Sequence, residues 1–157
     1  MTKKEKVFLD KWEFWSRTMT IIQFLVVVGV GTYLTVAQMN YSKNNLYEEN
    51  MLKFDDKLSN GTNLNITFAI EDKKVLLKSH GGSFDEDDLE GFLGVYDQLY
   101  DVYKMGLINK KLIYDDFSYD LLLAYNNQEI KEYLAQIRKE GSDFYIGFDQ
   151  LAELFSK

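Results

Sequence analysis

Pairs of carboxylates in the second half of the chain have a spacing that could carry acid–base chemistry. Asp97 and Asp101 lie four residues apart, and so do Asp116 and Asp120. A paired carboxylic acid can act as a general acid or base when its neighbour raises its pKa. Residues four apart also share one side of a helix, and in an amphipathic helix that side is commonly solvated. We expect a solvated face at both pairs.

The densest acidic run covers residues 85–90, where only Leu89 is uncharged. A calcium loop needs oxygen ligands at set positions around a glycine turn, and this run lacks that pattern. Acidic side chains at a helix start are favoured by the helix dipole, so we expect capping and solvation here. The alternative is a contact with a protein partner, for which Asp85, Asp87 and Asp88 are the candidate residues.

Two residue counts exclude several kinds of site. The chain has no cysteine, which excludes disulfides, thiolate metal ligands and a cysteine nucleophile. Its single histidine, His80, excludes any site that needs two histidines. We expect His80 at a helix C-terminus, where its protonated form is favoured. No nucleophile with an adjacent base is visible in the sequence, so we expect no catalytic activity, no metal and no cofactor.

A long charge-free segment near the start of the chain predicts a membrane-spanning helix. No charged residue occurs between Arg17 and Lys43. About 20 apolar residues suffice to cross a bilayer, and a helix satisfies its own backbone hydrogen bonds there. The segment is longer than the apolar region of a cleaved signal peptide, and a soluble core helix rarely has such a run. We place the span at residues 18–42, after a basic and aromatic segment at residues 1–17.

Aromatic and basic residues at the two ends of the span predict contacts with the membrane interface. Aromatic rings favour this zone on both sides of a bilayer. We therefore expect Trp12, Trp15 and Arg17 at one interface and Tyr41 at the other. The segment before the span is either a short helix lying in the interface or the first turns of the spanning helix.

A few residues within the span could mediate contacts between helices. Gln23 carries an amide that could hydrogen-bond to a neighbouring helix, and it could equally bond locally. Gly29 contributes to a thin small-residue patch, although no GxxxG motif is present. A homo-oligomer is therefore a possible state of this chain, with Gln23 and Gly29 as candidate contacts.

The distribution of basic residues around the span predicts the orientation of the chain. Five lysine or arginine residues precede the span, whereas only Lys43 and Lys53 follow closely. The positive-inside rule favours the N-terminus in the cytoplasm and the following domain outside. The absence of disulfides in an exported domain is an argument on the other side, though a weak one. We expect a single-pass protein of the cell membrane.

The charge of the chain changes sign after the span. Residues 46–157 contain 12 basic and 22 acidic side chains, a formal charge of −10, whereas the first 17 residues carry +2. A basic end suits the anionic face of a lipid bilayer, our first predicted partner. The overall charge of −7 and the isoelectric point near 4.7 argue against nucleic acid as a partner.

Two segments between the span and the last helices are open to more than one interpretation. Residues 43–63 form a predicted helical stalk and turn, whose apolar stripe from Tyr47 to Leu58 could dock on the following domain or pair with another copy. Residues 64–79 show both a helical face and strand-like alternation. We favour a helix there, ended by Gly81 and Gly82, over a hairpin.

The acidic domain, residues 64–157, has the pattern of short helices with short connections, typical of antiparallel packing. Ser83-Phe-Asp-Glu86 has the form of a capping box, and Gly106 is expected to end the helix that it starts. Asn109 and Asn127 are candidate N-caps of the next two helices.

A further break at Gly141-Ser142 precedes a last helix with Phe144, Phe148, Leu151 and Phe155 on one face. Arg138, just before the break, could pair with acids of a neighbouring helix or remain at the surface. The predicted fold class is all-α: one N-terminal transmembrane helix continuing into a stalk, then a compact bundle of about five short helices.

Four segments between residues 84 and 155 resemble a bacterial family of uncharacterised membrane proteins with an N-terminal membrane helix and a small all-helical tail. They are DLEGFLGVYDQLYDVYKMGLI, DDFSYDLLLAY, EIKEYLAQIRKE and FYIGFDQLAELF. The resemblance rests on helix lengths, the Gly-Leu-Ile turn, the arginine of the penultimate helix and the aromatic last helix. It implies an all-α domain with a helix at residues 64–79. The function of this family is unknown, so the resemblance assigns no catalytic or ligand residues to the chain.

These patterns lead to one expected function and two rivals. We expect a membrane-anchored helical adaptor or regulatory protein that binds an unidentified protein partner, because an anchor raises the effective concentration of a domain for partners at the membrane. The first rival is a membrane-active effector, such as a phage-exclusion or defence protein. The second rival is an enzyme whose site the sequence does not reveal.

Overall fold

A computed structural model describes the backbone of residues 3–139, 141 and 143–156, and the side chains of residues 12, 15–139, 141 and 143–156. Every regular element in this part of the chain is helical, and the one strand-like contact is a parallel bridge between Leu77 and Phe84. The helices are α1 Lys3–Leu58, α2 Gly61–Glu71, α3 Glu86–Lys104, α4 Lys110–Asn126, α5 Gln128–Ile137 and α6 Ile146–Phe155, with a 3₁₀ turn at Lys78–His80. The all-α prediction, a long first helix followed by five short ones, is confirmed.

The long helix α1 contributes to two compact units that divide between Asn44 and Asn45. In the first unit, α1 is long and apolar enough to cross a membrane, and no other helix in the described part of the chain is. None of its most apolar 18 residues is buried by the rest of the protein. The chain therefore has one candidate membrane span.

The second unit begins with the last turns of α1. Met51, Phe54 and Leu58 are each only 6% exposed and belong to the core of the bundle. Their spacing of three and four residues puts them on one face of the helix. Of the two predicted roles for this stripe, docking on the following domain is the one found within the chain.

The segment predicted as one helix over residues 64–79 is helical only in its first part. Helix α2 starts at Gly61, inside the predicted turn, and ends at Glu71. Lys73 then adopts a left-handed backbone with φ of 54°, and the Lys74 amide bonds back to the Ala69 carbonyl. The prediction of a helix over residues 64–79 is wrong in its second half, because this reversal ends the helix eight residues early.

The start of α3 also differs from the predicted capping box at Ser83. The backbone amides of Ser83 and Phe84 both donate to the carbonyl of Leu76, so residue 84 is still held beside the preceding segment. The helix can therefore begin only after Phe84. Asp85 is its N-cap and Glu86 is its first residue. Asp85 and Asp88 form the reciprocal capping box that the sequence suggested two residues earlier.

The other helix boundaries follow their predicted signals. Asn109 and Asn127 cap α4 and α5 by accepting the amides of Leu112 and Ile130. Gly106 ends α3 with a left-handed φ of 71°. Phe148, Leu151 and Phe155 of α6 are buried as predicted, whereas Phe144 lies outside that helix and is 49% exposed. Of the predicted break at 141–142, Ser142 lies outside the described residues.

The core of the bundle lies where α3 packs against α6, with α2 and α4 on its flanks. Phe92 and Tyr96 of α3 are fully buried and meet edge to face, with ring centroids 5.3 Å apart. The Tyr96 ring also lies 5.9 Å from that of Phe148 in α6. Buried aromatic rings of this size supply much of the apolar area that a small domain needs.

Candidate membrane and partner-binding surfaces

The residues predicted at the membrane interface are all exposed in the first unit. Trp12 is 70% exposed, Trp15 62% and Tyr41 69%, and the side chain of Arg17 is exposed as well. Along α1, Trp15 and Tyr41 are separated by about 39 Å at 1.5 Å per residue. This length is close to the about 40–45 Å between the two headgroup regions of a bilayer.

Polar side chains within the apolar part of α1 differ in whether they have partners. The hydroxyls of Thr20, Thr32 and Thr35 each donate to the carbonyl four residues back, at 2.8 to 2.9 Å. The amide of Gln23 is exposed and has no hydrogen-bond partner in the described part of the chain. A Cβ added at Gly29 would meet nothing within 4 Å, so no contact in the chain requires a glycine there.

Two of the three acidic partner-binding candidates take part in the start of α3. The Asp85 carboxylate accepts the Asp88 amide, the Asp88 carboxylate accepts the Asp85 amide, and Lys78 lies 3.0 Å from Asp85. The capping hydrogen bond and then the Lys78 ammonium lower the pKa of Asp85 below 3.8. Asp87, the third candidate, is exposed and forms no hydrogen bond or ion pair in the described residues.

Three exposed carboxylates on the first turns of α3 form what we call the acidic surface: Glu86, Asp87 and Glu90. They lie at the N-terminal end of α3, where Glu90 is a helix neighbour of both Glu86, four residues away, and Asp87, three residues away. The hydroxyl of Tyr133 in α5 donates to Glu90 at 2.5 Å. Burial, followed by this hydrogen bond, raises the pKa of Tyr133, so the phenol stays neutral.

Glu129, in the first turn of α5, forms a junction that the sequence did not reveal. Its carboxylate accepts the backbone amides of Leu76 at 2.7 Å and Leu77 at 3.0 Å, and it lies 2.9 Å from Nδ1 of His80. Partial burial acts to raise the pKa of Glu129, but the three hydrogen bonds outweigh it and the pKa is lowered. The segment before α3 is thereby fastened to α5.

A second junction joins α5 to α6. In this junction Arg138 forms an ion pair with an acidic residue of a neighbouring helix, one of the two alternatives that the sequence left open. Its guanidinium lies 2.7 Å from the Asp149 carboxylate and also donates to the carbonyls of Phe144 and Tyr145. Burial nevertheless raises the pKa of Asp149, with the Arg138 charge opposing it. His80, by comparison, lies at the end of a short 3₁₀ turn and not at the end of the longer helix predicted over residues 64–79.

The members of the two carboxylate pairs differ in their surroundings. Asp97 accepts the backbone amide of Gly147 at 2.7 Å and so fixes the start of α6, whereas Asp101 is exposed. Asp116 is exposed, and Asp120 is half-buried. Burial, followed by the charge of Glu71, raises the pKa of Asp120.

One buried polar atom stands out in the core. The hydroxyl of Tyr96 is the single buried side-chain polar atom without a hydrogen-bond partner among the described residues. Burial and then the charge of Asp120 raise its pKa, so the ring remains a neutral phenol. In the same part of the chain, no group of three or more His, Cys, Asp or Glu side chains is placed to hold a metal ion.

No protein family matches the chain, and neither the curated proteins nor the solved structures include a match to it. The features described above therefore rest on the chain's own residues. The resemblance to a bacterial membrane family remains a prediction.

Proposed function

We propose that this chain is a single-pass membrane protein whose helical domain binds a protein partner at the surface of the cell membrane. Helix α1 crosses the bilayer with its N-terminus in the cytoplasm, and the acidic bundle lies on the outer side. The chain acts by positioning this domain and not by catalysis.

The observation that carries the proposal is the exposure of the apolar part of α1. None of its most apolar 18 residues is covered by protein. Exposed apolar area costs about 25 cal/mol per Å² in water, and lipid removes that cost. A soluble core helix of the same composition would instead be mostly buried.

The orientation is supported by the basic residues on the N-terminal side of the span. Five lysine or arginine residues lie in the first 17 positions, against three, Lys43, Lys53 and Lys57, in the same distance after residue 42. Such a bias keeps the basic side in the cytoplasm. The bundle then faces outward with its formal charge of −10 over residues 46–157.

Partner binding is supported by the acidic surface. Asp87 and Glu86 have no hydrogen bond or ion pair in the described residues, in contrast to Asp85 and Asp88, which cap α3. Carboxylates at the exposed start of a rigid helix are available to a basic partner, and such charges raise association rates.

Protease protection in intact spheroplasts tests the membrane part of the proposal. We expect the chain to resist alkaline extraction from membranes and its bundle to be digested from the outside, with lysed cells as the control. Release of the full-length chain by alkali would contradict the spanning role of α1. Protection of the bundle until lysis would reverse the orientation and favour cytosolic adaptor or defence roles.

Neutralising the acidic surface tests the partner-binding part. We expect the double variant Glu86→Gln, Asp87→Asn to accumulate to normal levels in cells. We expect its bundle to form no cross-links with the partner. The matched control is Glu48→Gln with Asp101→Asn, which removes the same charge from two other exposed positions. Equal cross-linking in both double variants would remove the acidic surface from the proposal. Depolarisation on expression that depends on an intact span would support the rival membrane-active effector.

A further inference from the structure

We propose that the membrane-spanning part of α1 pairs in parallel with the same part of a second copy of this chain. The contact is one face of the helix, which we call the glutamine face: Thr20, Gln23, Val27, Gly31, Leu34 and Gln38. This inference rests on the proposed membrane insertion of α1 and adds the partner of that helix.

The first argument is the unsatisfied amide of Gln23. A primary amide offers two donors and one acceptor oxygen, and Gln23 uses none of them in the described part of the chain. It lies eight residues from Trp15, about 12 Å along the helix axis, and therefore inside the apolar zone. Hydrocarbon offers no hydrogen-bond partner, so a facing polar group stabilises this position.

The second argument is the arrangement of small and polar residues around the helix. At 3.6 residues per turn, the six residues of the glutamine face fall within a sector of about 80°. Gln38 and Thr20 occupy this sector together with Gln23, and the Thr20 hydroxyl is already satisfied by the Ser16 carbonyl at 2.9 Å. Gly29 lies about 120° away from Gln23, outside this sector.

The third argument is Gly31, which no contact within the chain explains. A Cβ added there would meet nothing within 4 Å. Glycine is less favourable than alanine in a helix interior, so a packing reason is expected. Close approach of a second helix backbone supplies one, since small residues line helix contacts in membranes. Gly31 lies two turns from Gln23, on the same side.

A second copy fits this face because the face is self-complementary. Two copies that insert with the same orientation run parallel to each other, and their Gln23 residues lie at the same depth in the bilayer. A two-fold axis parallel to the helices then brings the two amides together, each able to donate to and accept from the other. An unrelated helix would need a matching polar group at that depth.

Energy transfer between labelled full-length chains in phospholipid vesicles tests the pairing. The chain has no cysteine, so Ser156→Cys provides one labelling site. We expect transfer that depends on the protein-to-lipid ratio. Gln23→Leu should weaken pairing about 3- to 30-fold for each hydrogen bond that is lost, the range for hydrogen bonds between membrane helices. Gly31→Ile should weaken it at least as much, and Gln23→Asn should retain most of it.

Gly29→Ile is the matched control, because it makes the same change on another side of the helix and should leave pairing unchanged. A wild-type chain that is monomeric at all ratios overturns the inference while leaving the single-pass proposal intact. The inference is also overturned if Gln23→Leu leaves energy transfer unchanged, or if Gly29→Ile and Gly31→Ile reduce energy transfer equally. A chain that alkali strips from the vesicles overturns both proposals.

Discussion

The Glu129 carboxylate accepts the backbone amide of Leu76 at 2.7 Å, across 53 residues of sequence. The same carboxylate accepts the Leu77 amide, and the side chains of Leu76 and Leu77 are 1% and 4% exposed. One acid thus supplies the acceptors for two backbone donors in a segment without regular secondary structure. This relationship gives the irregular part of the bundle its fixed position.

Replacing Glu129 by alanine should destabilise the bundle by about 1–3 kcal/mol, because two amides beside buried leucines lose their acceptor. The free energy of unfolding can be measured for the full chain in detergent micelles by urea titration. Near-UV circular dichroism of the nine tyrosines in the second unit suits this measurement, since both tryptophans and the other two tyrosines lie in the first unit. Glu132→Ala, on the exposed side of α5, is the control and should change stability little.

The lowered pKa of Glu129 also predicts a pH dependence. A carboxylate with a folded-state pKa below its usual 4.5 stabilises the fold above that value and loses its contribution as pH falls through the lowered pKa. Stability of the wild-type chain should therefore fall more steeply below about pH 5 than that of Glu129→Gln. Parallel curves for the two proteins would show that Glu129 does not contribute to acid unfolding.

The two acids at the start of α3 should differ in their effect on stability. Asp85→Ala removes the N-cap and should cost about 0.5–2 kcal/mol, whereas Asp87→Ala should stay within about 0.5 kcal/mol of wild type. Urea titration and amide hydrogen exchange in the first turn of α3 check this. Similar losses in both variants would contradict the assignment of Asp85 as the cap.

Gly82 and Gly91 provide a matched pair of glycine substitutions. A Cβ at Gly82 would lie 2.3 Å from the Leu76 carbonyl oxygen, so Gly82→Ala should displace backbone and cost at least about 1–3 kcal/mol. At Gly91, inside α3, a Cβ would meet nothing within 4 Å, and alanine should stabilise by up to about 1 kcal/mol. Thermal unfolding should therefore shift in opposite directions.

Removing the hydroxyl of Tyr96 should stabilise the bundle. The hydroxyl is buried without a partner, and such a group costs about 1–3 kcal/mol, part of which Tyr96→Phe should recover. Tyr133→Phe should have the opposite sign, because the Tyr133 hydroxyl donates to Glu90. The free energies of unfolding of the two variants test this difference in sign. A destabilised Tyr96→Phe variant would contradict it and would indicate that a water molecule bonds to the Tyr96 hydroxyl.

Two neighbouring residues of α1 test whether its last turns belong to the bundle core. Phe54 is 6% exposed and Leu52 is 69% exposed. Phe54→Ala should cost about 3–5 kcal/mol, and Leu52→Ala should stay within about 0.5 kcal/mol of wild type. Urea titration in micelles measures both. Equal effects would mean that the stripe does not pack on the bundle.

The parts of the fold that the sequence predicted correctly depend on local signals. Asn109 and Asn127 cap the helices that follow them because a short polar side chain reaches an amide two or three residues on. The shared apolar face of Met51 and Phe54, both buried in the bundle, follows from helical periodicity alone. These relationships span fewer than five residues, so a single sequence contains them.

The parts that could not be predicted depend on contacts between distant residues. Helix α2 ends at Glu71 because the following segment binds Glu129, and an acid at the start of α5 gives no sign of which amides it will accept. The late start of α3 has the same origin, since Leu76 holds Ser83 and Phe84. Arg138 gave the one usable long-range signal, a cation with an expected acidic partner in a neighbouring helix.

Under the proposed membrane insertion of α1, the contribution of this helix to the core has a consequence for proteolytic release of the domain. The core needs Met51, Phe54 and Leu58, which lie in the same uninterrupted helix as the span. Proteases cut exposed irregular segments far more readily than packed helices. The first such segment, at residues 59 and 60, lies beyond these three side chains. A cut there would therefore leave the downstream fragment without part of its own core.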